Sequence, residues 1–194
     1  MTGSIALLHL SPVTESDRHA IADLLAKPDL SRRNFGGDVR QLNPVAWSKK
    51  HKTFGVRLDG DLFGAVHLVR DEDGPRSWEL SVLLADHKRA LDGARSAVAG
   101  LFYAFNVLKA ESAWFWAPDS NELIGAFAKQ LGFVQLNPLV VPGVQPAQSY
   151  ELSASAWKKA GDGALDMFLV EAVKISDHEH DYIGDQKGFR RLAP

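Results

Sequence analysis

The sequence predicts an α+β domain: a mixed central β-sheet flanked by helices. Three observations carry this. Asp59-Gly60 separates two apolar runs, 54–58 and 62–69, and an Asp-Gly pair so placed marks a tight hairpin, because both central turn positions take positive φ. A third run, 77–84, follows a turn at 71–75 and sends Trp78, Leu80, Val82 and Leu84 to one face and Glu79, Ser81 and Leu83 to the other. Then Ala94, Ala97, Val98, Leu101, Phe102, Phe105 and Leu108 recur at the period of an amphipathic helix. An antiparallel meander followed by helices needs both faces of a sheet to bury its apolar stripes.

The remaining elements follow in order. Residues 5–10 suit a short strand. Thr14 and Asp17 have the spacing of a capping box ahead of Ala20, Ile21, Leu24 and Leu25, which places a helix over about 15–26, ended by Pro28. Residues 27–50 have weak periodicity, with turn signals at Gly36-Gly37 and Asn43-Pro44. An aromatic strand is expected at 113–117. A helix carrying Leu123, Ile124, Phe127, Ala128 and Leu131 follows, closed by Gly132. Strands at 133–141 and 149–152 flank a turn at 142–146. Gly161-Asp162-Gly163 reads as a boundary. The domain then covers 1–160, and 161–194 is an extension with a helical segment at 164–175 and a polar tail.

Composition narrows the function. The chain has 194 residues, 45% of them apolar, and a formal net charge of −2, which counts against general nucleic-acid binding. It has no cysteine, so disulfides, thiolate metal sites and cysteine nucleophiles are excluded. Residues 1–10 do not read as a signal peptide, and no apolar run is long enough to span a bilayer, so a cytoplasmic location is expected. His178-Glu179-His180 alternates on a polar stretch without partners at helical spacing and reads as solvated, so no metal is expected. Lys49, Lys50, His51 and Lys52 read as a solvated basic face.

The order of elements and three local patterns resemble the GCN5-related N-acetyltransferase (GNAT) family over roughly 5–157, nearest the branch that acts on ribosomal proteins and antibiotics. The clearest is the helix from Asn121 to Gly132-Phe133, with Asn at its start and Leu-Gly-Phe at its close. The second is Trp78-Glu79-Leu80-Ser81-Val82, similar to the family's Glu-bearing strand. The third is the phosphate loop, Arg89-Ala-Leu-Asp92-Gly93-Ala94, in which Asp92 stands where the family has its first Gly.

The resemblance implies an acyl-CoA N-acyltransferase fold and acetyl transfer from acetyl-CoA to a primary amine of a small molecule or protein. It implies Glu79 as general base. Ser81, Val82, Leu83, Leu84 and Asn121 would hold the pantetheine, and Lys88, Arg89, Gly93 and Ala94 the pyrophosphate. The tyrosine that often serves as general acid is Ala128 here, which leaves Tyr103 and Tyr150 as substitutes. Trp47, Trp114 and Trp116 would shape the acceptor pocket. A homodimer is compatible with this reading. Asp92 and Ala128 motivate a second reading, a non-catalytic binding module on the same fold. A third is a nucleic-acid-modifying protein, against which the acidic balance counts.

Overall fold

The computed structural model describes residues 7–27, 48–72, 76–85, 90–119, 121–138, 146–168, 172–185 and 187–193. Its strands are β1 (Leu8–Pro12), β2 (His51–Leu58), β3 (Asp61–Arg70), β4 (Ser77–Leu84), β5 (Ser112–Pro118), β6 (Val134–Gln135), β7 (Ala147–Ser153), β8 (Val173–Ser176), β9 (Asp181–Asp185) and β10 (Gly188–Arg191). Its helices are α1 (Glu15–Leu25), α2 (Ala90–Phe102), α3 (Glu122–Leu131) and α4 (Ala154–Phe168). The strands form one mixed sheet in the order β10-β9-β8-β1-β2-β3-β4-β5-β7-β6. The pairs β1–β8 and β4–β5 are parallel.

Local chemistry explains the early elements. The Thr14 amide donates to Asp17 Oδ2 at 2.8 Å, the reciprocal half of the expected capping box. The same carboxylate accepts from Arg57 Nη2 at 2.6 Å, so the cap also ties α1 to β2. The β2–β3 turn has φ 51° at Asp59 and 96° at Gly60, as the Asp-Gly pair predicts. Next to that turn Val56 faces Gly64 while Arg57 faces Leu62, which leaves Phe63 as a bulge.

Gly64 is needed for a separate reason. A Cβ there would lie 2.2 Å from the Leu83 carbonyl oxygen and 2.7 Å from Leu84 Cδ2. Gly64→Ala therefore forces β3 and β4 apart. We expect a loss of about 1–3 kcal/mol, the range for overpacking, read as a lower denaturant midpoint at unchanged slope.

Both faces of the sheet are used. On one, Val98 and Leu101 of α2 pack with Leu8, Leu10, Phe54, Val56, Val66, Leu68 and Leu80, and Ala128 and Leu131 of α3 pack with Phe115. On the other, Ile21 and Leu24 of α1 pack with Ala65 and Leu83. The helix expected at 94–108 starts at Ala90 and opens into a π-turn at Tyr103–Val107. Tyr103 packs edge-on to Phe54 there and donates to Asp177 Oδ2 at 3.0 Å. The close of α3 is as read from the sequence: Gly132 has φ 80° and the Phe133 amide donates to Ala128 O at 2.9 Å.

Two sequence expectations are corrected. The strand expected at 133–141 is confined to Val134–Gln135, and 139–145 lie outside the described residues. The boundary at 161–163 is not a break in structure, because α4 runs through it. Beyond α4 the chain is not a helix and tail: β8, β9 and β10 continue the sheet alongside β1. Tertiary packing overrides the two glycines. Trp157 of α4 stacks on Phe105 and donates from Nε1 to Asn106 Oδ1 at 3.1 Å, and Phe168 packs edge-on to Phe127.

Candidate active site

The site begins where the sheet opens. β4 and β5 pair in parallel only at Ser77–Ser112, Trp78–Ala113 and Glu79–Trp114. Beyond that point β4 stays paired to β3 up to Leu84, and β5 stays paired to β7 up to Pro118. The two strands no longer bond each other, and a wedge lies between them.

Backbone alternation decides which amides line it. Ser77 O accepts from the Asp71 amide at 2.9 Å, and the Ala85 amide donates to Phe63 O at 2.8 Å, so odd-numbered residues of β4 bond toward β3. Even-numbered residues then aim at β5, and past the ladder the amides of Val82 and Leu84 face the wedge. Ser81 and Leu83 do not offer theirs, which corrects half of the expected amide set. Their side chains share the face of Glu79, where Leu83 is buried with Ile21 and Leu24.

The first turn of α2 stands at the end of β4. A Cβ on Gly93 would lie 3.3 Å from Leu84 Cδ1, and Ala94 packs on the core below. Lys88 and Arg89 lie outside the described residues. Asp92 does not face an incoming anion. Its Oδ1 meets Arg95 Nη1 at 2.9 Å, both side chains are buried, and Arg95 Nη2 donates to Ala172 O at 2.9 Å. At the end of β5, Asn121 precedes α3, half-buried, and its side chain makes no capping bond to the helix. Its amide is thus not used up in capping.

Glu79 sits at the apex of the wedge. It shares a face with Trp114, directly opposite it in the ladder, and with Trp116 two residues on. Burial raises the pKa of its carboxyl, the Trp116 side chain opposes that by a hydrogen bond, and the charge of Asp71 adds to the rise. A half-buried carboxylate with a raised pKa is a better base at neutral pH than one in water. Trp47 lies outside the described residues. Tyr150 is not brought to Glu79. It stands opposite Phe115 and stacks on that ring at 5.1 Å, on the other face of the sheet, and its hydroxyl lies 3.5 Å from where a Cβ on Gly125 of α3 would be.

Sequence reading misses Thr53 and His67 on the Glu79 face and reads His51 as part of a solvated basic face, whereas its Nδ1 is buried there. Thr53 precedes Phe54 in β2, and His67 lies between Val66 and Leu68 in β3. Thr53 and His67 face each other, and the rings of His51 and His67 stack with centroids 5.9 Å apart. A histidine and a threonine at inward positions of apolar strands were the available signal. His67 is 3% exposed. Burial, and secondarily the neighbouring His51, push its pKa down to about 4. The unfolded chain takes that proton near 6.5, so between those values the unfolded state binds more protons. Stability should therefore fall as pH drops from about 6.5 to 4, by up to about 3 kcal/mol from this group. Denaturation midpoints across that range check it, and His67→Gln should flatten the slope.

The described residues contain no group of His, Cys, Asp or Glu that could hold a metal ion, and no helix long and apolar enough to cross a membrane. His178 is exposed, and His180 Nδ1 lies 3.9 Å from both Asp177 and Glu179.

No protein-family model matches the chain, and no curated protein sequence does. Solved structures do. A spermidine N-acetyltransferase from Vibrio cholerae, in complex with CoA and spermine, superposes with a TM-score of 0.63 at 17% identity, over 78% of this chain and 98% of that one. A structure of the Vibrio cholerae spermidine/spermine N-acetyltransferase with manganese ions gives a TM-score of 0.60 at 17% identity, over 79% and 96%. The chain has the GCN5-related N-acetyltransferase fold. Among the described strands, the parting of the parallel pair β4–β5 leaves backbone unbonded inside the sheet, and it falls just after Glu79.

Proposed function

We propose that the chain is an N-acetyltransferase that moves an acetyl group from acetyl-CoA to a primary amine. The observation that carries this is the parting of β4 from β5 immediately after Glu79 and Trp114. An extended ligand bearing amide groups fits such an edge, because unpaired strand amides seek acceptors. Val82 and Leu84 would hold the pantetheine amides, with Asn121 opposite. The first turn of α2, at Gly93 and Ala94, would receive the pyrophosphate, as helix N-termini do. Bound acetyl-CoA supplies an activated acyl carbonyl with a thiolate leaving group.

The residues of the chain handle the protons. Glu79 takes a proton from the ammonium or from the attacking amine, so that the nitrogen lone pair is free to bond the acyl carbon. Trp116 fixes the orientation of that carboxyl. One proton must reach the departing sulfur. The chain has three tyrosines; Tyr103 is committed to Asp177 and Tyr182 lies on β9. Tyr150 is the remaining phenol, next to β5 and under α3, and we assign it that role.

Calorimetric titration with acetyl-CoA tests the reading. We expect one saturable site with a Kd of about 1–100 μM, that is about −8 to −5 kcal/mol. No binding at millimolar ligand would sink it.

A further inference from the structure

The face of the sheet that bears Glu79 carries more buried polar groups than the fold requires. Among the described residues, His51 Nδ1, Thr53 Oγ1, His67 Nε2 and Trp114 Nε1 are buried and have no hydrogen-bond partner. All four sit on that one face. Thr53 pairs with His67, His67 with Ser81, and Glu79 with Trp114 across β2, β3, β4 and β5. Thr53 and His67 are each 3% exposed. Buried polar atoms are met by protein, ordered water or a ligand, and four orphans in two adjacent cross-strand rows of one face, Thr53–His67–Ser81 and His51–Val69–Glu79–Trp114, are not a packing accident to be expected of a core. A core that needed only to pack would place apolar side chains there.

The chemistry of these four groups is neutral. Thr53 donates and accepts, each imidazole nitrogen does one or the other, and the Trp114 indole only donates. Beside Glu79 on this face β2 and β3 place His51, Thr53, Ala65, His67 and Val69, while Asp71, whose charge reaches Glu79, stands opposite Ser77 on the side of Glu79 away from His67. A second ammonium group lying toward His67 would meet imidazoles and a hydroxyl. Glu151, opposite Trp114, is on the far side of the wedge. By register His67 is a diagonal neighbour of Glu79, a Cβ separation of roughly 7–8 Å. A group two to four bonds from the reacting nitrogen spans that distance.

We propose that these groups form an acceptor subsite for uncharged hydroxyl groups, so that the favoured substrate is a hydroxylated primary amine of amino-alcohol or amino-sugar type. Hydroxyls both donate and accept, which matches an obligate donor beside groups that do either. This inference rests on the acetyltransferase reading and specifies its acceptor.

The test compares kcat/KM, with acetyl-CoA, for glucosamine, cyclohexylamine and spermidine, after calorimetry has shown that acetyl-CoA binds. Glucosamine should exceed both others by at least about tenfold, since a site built to hydrogen-bond a group rejects analogues that lack it. Thr53→Val, which keeps the side-chain shape, and His67→Phe should each cut the glucosamine-to-cyclohexylamine ratio about tenfold, the size of one lost hydrogen bond. Acetyl-CoA affinity reports whether each variant is folded; if His67→Phe is not, Thr53→Val carries the test. A preference for spermidine or cyclohexylamine, a ratio unchanged in Thr53→Val, or no turnover of glucosamine by protein that binds acetyl-CoA overturns the subsite. Failure to bind acetyl-CoA instead overturns the acetyltransferase reading, and the subsite with it.

Discussion

Glu79→Gln should lower kcat/KM for amine acetylation by about 100- to 10,000-fold, the range for loss of a general base, with acetyl-CoA affinity changed by less than about twofold. The substitution keeps the side-chain shape and a carbonyl oxygen for Trp116 to bond, and removes only the ability to take a proton. Its pH profile separates a base from a merely structural residue. Burial raises the Glu79 pKa, so activity of the native protein falls on the acid side as the carboxylate protonates, at a pH above that of an ordinary glutamate. In Glu79→Gln the remaining activity should lose that acid limb. Persistence of the limb would assign the base to another group.

Removing Arg95 should cost about 3–5 kcal/mol of stability, the scale for breaking one side of a buried ion pair. Arg95→Ala leaves Asp92 in the core without its guanidinium and takes away the bond to Ala172 O, one residue before β8. The loss should be read as a lower denaturation midpoint, together with faster amide exchange along β8 and β9. The pair reverses an inference that the sequence invites. Asp92 occupies the glycine position of the phosphate loop, so Asp92→Gly looks like the restoration of an anion cradle. In the folded protein that change strands Arg95 instead, and it should destabilise the chain without tightening acetyl-CoA binding. The double change Asp92→Gly with Arg95→Leu should recover part of the loss, since no charge is then left alone.

What could be read from the sequence was local. The Thr14–Asp17 cap, the Asp59-Gly60 turn and the Gly132 close of α3 each depend on residues within a few positions of one another, and each is present. Glu79, Trp114 and Trp116 are named through the family resemblance, and the structure brings those three together. The rest depends on which strands become neighbours. Thr53 and His67 come to share a face with Trp114, in the adjacent cross-strand row, only after β2, β3, β4 and β5 are laid side by side in register. The spacing of Asp92 and Arg95 is visible along the chain, but their burial follows from β8 packing beside α2. Four residues, Val173–Ser176, are too short a run to separate strand from helix by period alone.

The parallel pairing of β1 with β8 has a consequence for how the molecule comes into being. Leu8, His9 and Leu10 pair with Val173, Lys174 and Ile175. A chain emerging from the ribosome can set β2 against β1 early, yet one edge of β1 stays open until β8, far along the chain, has been made. Joining two such distant segments adds little to the final free-energy balance, about 0.6 kcal/mol for each doubling of the loop, but it lengthens the wait. Assembly of this part of the sheet therefore has to wait for β8. Until it occurs, the open edge of β1 is where the nascent protein is most exposed to pairing with the wrong strand.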